Sequence, residues 1–371
     1  MSKSIKKNMS VEEIIIIGGS YAAILALKTV LSSKTKTFNI TLISPNEFTF
    51  FNVAVPRLLI DNSLIDKTIF RLDEVIENLQ KGTNHKVTHI KSTVTKVELD
   101  DKKVVTTNDK EYSYNYLIIA SGSRSISPLW KLDNEKSNEY NIGSIKNFTN
   151  KIKQAKTIAI IGGGSTGVET AGELATEYPN KKVTIYTGSS GPLSGSLPNH
   201  VNSTTSKLEK LGVEIINNER VTTKDNEITL SNGKTKQYDL VIEAQKLIPN
   251  TEFLLKKYLD EQGFIKTDNY FRVPQNHEVI VIGDILSIGL HSLVDLNYNQ
   301  KSIFENIIKF EIFKEGNKIK EYKRPKNPTM LVPIGKNGGV GAFNGWNFPN
   351  FLVWLFKSRD FMIPKAKDSL T

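Results

Sequence analysis

The 371-residue chain contains no cysteine. This absence excludes disulfide bonds, thiolate metal sites and every relay of electrons through a redox-active cysteine pair. The chain also has no long apolar run, since its longest candidate, residues 351–356, is far shorter than the about 20 residues needed to cross a bilayer. A membrane-spanning helix is therefore not expected.

The N-terminal stretch lacks the features of a targeting signal. It carries lysines but no arginine, and no apolar segment precedes Glu12 and Glu13. Ser2 occupies the position at which N-myristoylation requires glycine. We therefore expect a cytoplasmic protein, while a peripheral membrane position and a mitochondrial location both stay open.

Charge of one sign does not dominate any segment. The 49 lysine and arginine residues exceed the 39 acidic residues and give a net charge of +10, but lysines and acids are interspersed. Even the densest basic stretch, residues 314–326, contains Glu315 and Glu321. This pattern is typical of a solvated surface, so a nucleic-acid partner is not expected.

Two glycine-rich turns of one design organise the chain. Each follows a short apolar run, residues 14–17 and 158–161, and each precedes apolar residues at helical spacing. This pattern predicts a strand, a tight turn and a helix whose N-terminus can bind a pyrophosphate. Two such units in one chain indicate two dinucleotides, as in a flavoprotein that passes electrons between a nicotinamide and a flavin.

The two turns differ in their glycines. The second turn has glycine at all three motif positions, which are Gly162, Gly164 and Gly167. In the first turn Ser20 replaces the second motif glycine and Ala23 the third. Alanine is tolerated at the third position, where the helix packs closely on the strand. Serine at the second position leaves less room for the backbone to approach the phosphate, but its hydroxyl can donate a hydrogen bond to it.

The strands that follow the two turns lack the usual ribose-binding acid. Ser44 stands at the end of the strand predicted for residues 38–43, where an aspartate or glutamate is common. The strand of residues 182–186 leads into residues 187–190, which contain neither an acid nor an arginine for a ribose 2′-phosphate. The sequence therefore leaves open whether the nicotinamide is NADH or NADPH.

Two further segments allow alternative interpretations. The aromatic-rich turn of residues 48–57 enters a helix and either packs in the core or covers the flavin, with Arg57 as a charge partner for phosphate or ring. Asp284 follows the strand predicted for residues 279–282. Its carboxylate either accepts hydrogen bonds from a ribitol chain or belongs to an ordinary turn.

Apolar and polar residues alternate in residues 87–99 and 103–107, and this pattern predicts two antiparallel strands. His85 and His89 lie on one side of this pattern, but no further metal ligands are close to them in the sequence. We therefore expect no metal site.

The order of the motifs resembles a known superfamily. The motifs follow the order found in flavoproteins with two dinucleotide-binding domains. The first glycine turn is followed by residues 120–122, by a polar linker of residues 131–144, by the second glycine turn and finally by Gly283-Asp284. Within them the chain resembles the apoptosis-inducing-factor-homologous mitochondrion-associated inducer of death family, also called ferroptosis suppressor proteins, and more distantly the type II NADH dehydrogenases. Fungal members are similar in having Gly-Gly-Ser-Tyr-Ala at the first turn. The most specific stretches are residues 52–57, 162–173, 176–179, 335–341 and 357–360.

This resemblance implies an α/β fold with two Rossmann-like dinucleotide-binding domains, each a three-layer ββα sandwich. The FAD-binding domain would comprise residues 1–144 and 264–325, with the NAD(P)H-binding domain, residues 145–263, inserted in it. Residues 326–371 would form a C-terminal segment near the flavin. Its apolar stretch, residues 348–356, either docks on the flavin domain, which we favour, or lies in a membrane interface close to a lipid quinone.

The resemblance also implies site residues. Glu169 and Lys357 match the family's acid and lysine near the reacting rings, where they either position the rings or move a proton. Residues 244–246 depart from the family's Thr-Gly turn, which leaves the local nicotinamide contacts open. The NAD(P)H pyrophosphate would lie at Gly162, Gly164 and Gly167. The FAD ligands would be Gly18, Gly19, Ser20, Tyr21, Ala22, Arg57, Val94, Gly122 and Asp284.

The predicted function is that of an FAD-dependent oxidoreductase. It would pass a hydride from NADH or NADPH to the flavin and electrons to a small acceptor, with a quinone favoured. A low-turnover signalling flavoprotein that touches nucleic acid is one alternative. A serine hydrolase with Ser20 as nucleophile is another, although Ala22 stands where that motif requires glycine. Whether the chain forms a homodimer also stays open.

Overall fold

The computed structural model describes residues 11–132, 138–245 and 247–370. The N-terminal stretch that bears on targeting, the middle of the predicted linker and Lys246 lie outside these ranges.

The first part of the chain contains most of the predicted FAD-binding domain. Its elements are β1 (Glu12–Ile17), α1 (Tyr21–Leu31), β2 (Phe38–Ser44), β3 (Phe48–Phe50), α2 (Val55–Leu58), β4 (Ile69–Arg71), α3 (Leu72–Gln80), β5 (Lys86–Lys91), β6 (Val94–Glu98), β7 (Lys103–Thr106), β8 (Lys110–Ser113), β9 (Tyr116–Ile119) and β10 (Ser123–Ser125).

The middle of the chain forms the second domain. Its elements are α4 (Asn138–Gln154), β11 (Thr157–Ile161), α5 (Ser165–Glu177), β12 (Lys182–Tyr186), α6 (Pro198–Lys210), β13 (Glu214–Ile216), β14 (Thr222–Lys224), β15 (Glu227–Thr229), β16 (Thr235–Gln237), β17 (Leu240–Glu243) and β18 (Leu247–Pro249).

The last part returns to the first sheet and then forms the C-terminal segment. Its elements are β19 (Arg272–Val273), β20 (Asn276–Val281), α7 (Leu293–Asp295), α8 (Lys301–Ile308), β21 (Met330–Pro333), β22 (Gly339–Phe343), β23 (Trp346–Asn347), α9 (Asn350–Val353) and α10 (Ala366–Leu370).

The first sheet has six strands in the order β19-β20-β9-β1-β2-β5. All pairs except the one between β19 and β20 are parallel, and the apolar run of Ile14–Ile17 occupies the central strand, where both faces are covered. Because β20 pairs with β9 after the whole second domain has intervened, the second domain is an insertion into the first.

The second sheet is parallel, with the order β13-β12-β11-β17. Successive side chains of β11 point to opposite faces of this sheet, as in any β-strand. Ala159 and Ile161 pack in a cluster with Ile228 of the antiparallel β14–β16 sheet, whereas Ile158 and Ile160 share a core with Val168 of α5. These three layers confirm the predicted ββα arrangement.

Two local predictions were wrong in detail. The strand predicted for residues 87–99 is divided: β5 extends the first parallel sheet beside β2, and β6 begins a separate antiparallel sheet with β7. Helix α4 begins at Asn138, inside the predicted linker, and crosses the predicted domain boundary at residue 144.

The C-terminal segment packs on α5 and α6 of the second domain, whereas the sequence favoured docking of its apolar stretch, residues 348–356, on the flavin domain. A β-carbon built on Gly172 of α5 would lie 2.6 Å from the backbone nitrogen of Gly335, so a glycine is required for this close approach. The end of the segment, α10, also contacts α1 of the flavin domain. The segment therefore bridges both domains.

In the part of the chain that the structure describes, no helix combines the length and the apolar character that a bilayer crossing requires.

Candidate functional site

A cavity of about 860 Å³ opens at the carboxyl ends of the first sheet's strands. Ile17, Ser44 and Ala120 line it because each ends, or directly follows, a parallel strand, and parallel strands end at the same edge of the sheet. This edge is where open α/β sheets bind ligands. The second domain contributes Glu169 to the wall, and the C-terminal segment contributes Lys357.

The first glycine turn is built for close backbone approach. Gly18 has a φ of +129°, and a β-carbon there would lie 2.3 Å from the carbonyl oxygen of Ala120. A β-carbon on Gly19 would lie 2.5 Å from the Ser44 hydroxyl. Ser20 is the N-cap of α1, but its exposed side chain makes no capping hydrogen bond. The unpaired N–H groups of α1 thus face a space that suits a dinucleotide pyrophosphate.

The second glycine turn repeats this geometry. Gly162 has a φ of +126°, and a β-carbon there would lie 2.5 Å from the carbonyl oxygen of Ala244. Gly167 packs against the strand so closely that a β-carbon would lie 1.9 Å from the carbonyl oxygen of Gly162. No atom lies within 4 Å of the corresponding point on Gly164, which leaves room for a phosphate. Both turns therefore fit dinucleotides.

Most of the predicted FAD ligands line the cavity. Tyr21 lies there with its hydroxyl buried and without a hydrogen-bond partner among the described residues. Burial raises the pKa of this hydroxyl, so the Tyr21 side chain stays neutral. The other members of the predicted set on the wall are Gly18, Gly19, Ser20, Ala22, Val94, Gly122 and Asp284. Their individual roles stay predictions.

The aromatic side chains of residues 48–57 divide between the two interpretations made for this turn. Phe48 and Phe50 line the cavity, as the flavin-covering hypothesis requires. Phe51 is buried in the core, and its ring lies 6.4 Å from that of Tyr21 in an edge-to-face contact. The segment thus anchors itself in the core while presenting aromatic rings to the cavity.

Asp284 belongs to a charged cluster in the cavity wall. Its Oδ2 accepts hydrogen bonds from Lys131 Nζ at 2.7 Å and from Ser123 Oγ at 3.1 Å. Lys131 Nζ also donates to Ser123 Oγ at 2.6 Å. Sequence reasoning missed Lys131, which lies in the predicted linker. No motif in the sequence singled it out, and the segment is held in place because Trp130 donates a hydrogen bond to the Glu243 carbonyl at 2.5 Å.

Glu169 and Lys357, which are 188 residues apart in the chain, form a buried ion pair. Lys357 Nζ lies 2.6 Å from Glu169 Oε1, and the two side chains are 13% and 6% exposed. Lys357 also donates to the Leu331 carbonyl at 3.2 Å. Burial raises the pKa of the Glu169 carboxyl, and the Lys357 charge opposes that rise. The pair brings the predicted acid and lysine together on the cavity wall.

Arg57 does not line the cavity, in contrast to the prediction for it. Its guanidinium forms a two-pronged ion pair with Glu173, whose side chain is fully buried. It also donates to the carbonyl oxygens of Ser358 at 3.0 Å and Arg359 at 3.3 Å, and it lies 5.0 Å from the Phe361 ring centre. Arg57 therefore joins α2, α5 and the C-terminal segment.

The hydrolase alternative gains no support from the geometry. Ser20 has no hydrogen-bonded histidine or carboxylate among the residues that the structure describes. Without such a base its hydroxyl is not activated as a nucleophile.

A family model described as pyridine nucleotide-disulphide oxidoreductase matches residues 12–305. The chain belongs to this family. It differs from the family's description in one respect, because a chain without cysteine cannot form a redox-active disulfide. Its electrons must therefore pass without a thiol relay.

Relatives of known name match nearly the full length. The chain is 32% identical to oxidoreductase ptaL of Pestalotiopsis fici over 373 residues, covering 96% of this chain and 99% of that one. It is 27% identical to ferroptosis suppressor protein 1 of Xenopus tropicalis over 389 residues, covering 96% of each. These matches confirm the resemblance stated from the sequence.

Solved structures share the fold. The sulfide:quinone oxidoreductase of Aquifex aeolicus superposes with a TM-score of 0.74 at 14% identity, covering 97% of this chain and 92% of that one. The NDH2 of Plasmodium falciparum in complex with NADH gives a TM-score of 0.69 at 17% identity, with 97% of both chains covered. Family and fold together make the chain an oxidoreductase that uses FAD and NAD(P)H.

Proposed function

We propose that the chain is an NAD(P)H:quinone oxidoreductase. The observation that carries the proposal is the Glu169–Lys357 pair, which the inserted domain and the C-terminal segment bring together on the wall of the FAD cavity. When bound, FAD supplies the chemistry that accepts a hydride from a nicotinamide and releases electrons to an acceptor. A cation at the same wall suits an acceptor whose oxygen atoms gain negative charge on reduction.

The chain's own residues hold and orient the reactants. The N-terminus of α1 would hold the FAD pyrophosphate, and that of α5 the pyrophosphate of NAD(P)H. Lys357 Nζ would donate a hydrogen bond to a quinone oxygen, and the Glu169 carboxylate would keep the ammonium in place and charged. Phe48 and Phe50 would exclude water from the reacting end of the cavity.

Two findings support a quinone as the acceptor. The absence of cysteine removes a thiol relay, which leaves direct delivery from the flavin to a small molecule. One structural neighbour is named a sulfide:quinone oxidoreductase, so the same fold serves a quinone elsewhere. We infer an acceptor of the same chemical class for this chain.

A visible absorption spectrum tests this function. We expect the purified protein to show flavin bands near about 375 and about 450 nm that bleach anaerobically when NAD(P)H is added. Addition of a short-chain quinone should then restore the bands. The proposal would be refuted by a protein that stays colourless after FAD is supplied. It would also be refuted if the flavin stays bleached after the quinone is added.

An exposed apolar face lies on the C-terminal segment. We call it the aromatic face. Trp346 is 83% exposed and Phe351 62%, although a monomeric protein normally buries such side chains. Lys357 of the cavity wall directly follows Phe356 in the chain, so this face adjoins the site. Its members are Phe343, Trp346, Phe351, Trp354, Leu355 and Phe356.

We propose that the aromatic face inserts into the interfacial region of a membrane. Tryptophan and phenylalanine are favoured there, and lipid quinones dissolve in the adjoining hydrocarbon. The cavity would then receive its acceptor from the bilayer, and the chain would be a peripheral membrane protein.

Replacing Trp346 and Phe351 by serine should weaken vesicle binding by more than tenfold, since each large apolar side chain contributes about 1.5–3 kcal/mol when buried. The measurement is cosedimentation with phosphatidylcholine vesicles. The matched control is Leu255→Ser, because Leu255 is 60% exposed and lies outside the C-terminal segment. The double variant should also lose activity towards a long-chain quinone in vesicles but not towards a short-chain quinone. Unchanged cosedimentation would contradict the membrane proposal.

A further inference from the structure

The nucleotide-binding edge of the second domain contains a polar surface formed by two adjacent loops. The first is the turn of residues 187–190, which follows β12, and the second is residues 217–220, which follow β13. Thr187 N donates to the Ile216 carbonyl at 3.0 Å, and Asn218 N donates to the Ser189 carbonyl at 2.7 Å. The two loops are therefore held together by backbone hydrogen bonds.

This surface adjoins the second glycine turn. Strands β11 and β12 pair in parallel, with Ile161 beside Tyr186, so both strands end side by side. A β-carbon on Gly163 would lie 2.8 Å from Thr187 Cβ. A dinucleotide whose pyrophosphate lies on the glycine turn thus extends its adenosine ribose towards residues 187–190.

Arg220 reaches this turn from the second loop. Gly188 has a φ of +62°, and a β-carbon there would lie 3.6 Å from Arg220 Cγ, so the aliphatic part of Arg220 lies over the turn. Arg220 is exposed. Across residues 11–132, 138–245 and 247–370, its guanidinium forms no ion pair or side-chain hydrogen bond. It is available for an anionic ligand.

The surrounding groups suit an anion. An acid at the end of β12 would bind the free ribose hydroxyls of NADH and repel a 2′-phosphate, but Thr187 and Gly188 stand there. The Glu219 carboxylate accepts a hydrogen bond from Ser231 N at 2.6 Å and forms no ion pair with Arg220 among the described residues, so it does not occupy the guanidinium. Ser190 adds an exposed hydroxyl to the turn.

We propose that Arg220 and the turn of residues 187–190 bind the 2′-phosphate of NADPH, which makes NADPH the preferred donor. This inference rests on the proposed function, because it names the donor for the same reaction. An arginine can pair with two phosphate oxygens at once, and charge-assisted hydrogen bonds of this kind are stronger than neutral ones.

Steady-state kinetics test the preference. We expect kcat/KM for NADPH to exceed that for NADH by about tenfold or more, the range of a charge-assisted hydrogen bond. Arg220→Met keeps the aliphatic part and removes the charge, so it should reduce this ratio to near one, mainly through KM for NADPH. Arg324→Met, at another exposed arginine, should leave the ratio unchanged.

A binding measurement that needs no turnover tests the 2′-phosphate site separately from the proposed oxidoreductase function. Calorimetry on the FAD-loaded protein should show that adenosine 2′,5′-bisphosphate binds about tenfold more tightly than AMP, and that Arg220→Met removes the difference. Equal binding of the two probes to the wild type, or an unchanged difference in Arg220→Met, would overturn the inference. If the difference is present but neither nicotinamide bleaches the flavin, the proposed oxidoreductase function fails while the 2′-phosphate site stands.

Discussion

Glu169→Gln is expected to lower the turnover of quinone reduction by about a hundredfold or more, the usual contribution of a positioned proton-transfer group. Glutamine keeps the shape of the side chain but leaves the buried Lys357 ammonium without its counter-charge. Without this counter-charge the ammonium is no longer held at the cavity wall, so it cannot position its hydrogen bond to the acceptor. The measurement is kcat at saturating donor, together with the flavin spectrum to verify that FAD is still bound.

The pH dependence of kcat in the wild type should also depend on the Glu169–Lys357 ion pair. Burial raises the pKa of Glu169 above its ordinary value of 4.5. Below that raised pKa the carboxylate is protonated and the ion pair is lost, so kcat should fall on the acid side. This acid limb should be absent from the profile of Glu169→Gln. An identical limb in both proteins would assign the titration to another group.

Two further variants make this test specific. Glu177→Gln removes a carboxylate of the same helix whose partner, Lys336, is half exposed, and it should leave kcat and Tm unchanged. Glu169→Gln combined with Lys357→Met removes both charges, and its stability should exceed that of either single variant. Wild-type turnover in Glu169→Gln would remove the pair from the mechanism.

Arg57→Met is expected to lower the free energy of unfolding by about 3–5 kcal/mol, because it leaves the Glu173 carboxylate buried without a counter-charge. Glu173 has a side-chain exposure of 0% and Arg57 one of 13%, so solvent screens this pair little. The measurement is urea unfolding of the FAD-loaded protein. Arg57→Lys should recover only part of the loss, because an ammonium cannot form the two-pronged contact.

The same variants decide between two roles for Arg57. If it acts by joining α2, α5 and the C-terminal segment, the double variant Arg57→Met with Glu173→Gln should regain stability, and its FAD affinity should stay near that of the wild type. If Arg57 contacts FAD, as the family resemblance implied, the double variant should still bind FAD poorly. Arg324→Met is the control, since Arg324 is exposed and its loss should not change stability.

Features that depend on local geometry were predictable from the sequence. Both glycine turns appear where the motif placed them, because Gly18 and Gly162 adopt positive φ values in contact with a neighbouring backbone. The central strands β1 and β11 were also predictable, since short continuous apolar runs suit parallel strands covered on both faces. The strand predicted for residues 87–99 failed because alternation alone does not reveal that β5 pairs with β2.

The sequence by itself determined the fold class, the two dinucleotide-binding units and the exclusion of a thiol relay, because these depend on residue types and on contacts between near neighbours. Only the tertiary structure decided which charges meet. Arg57 pairs with Glu173, Lys131 with Asp284 and Lys357 with Glu169. Each pair joins segments distant in the chain, and a long cationic side chain pairs with whichever carboxylate the packing of helices and strands brings within its reach.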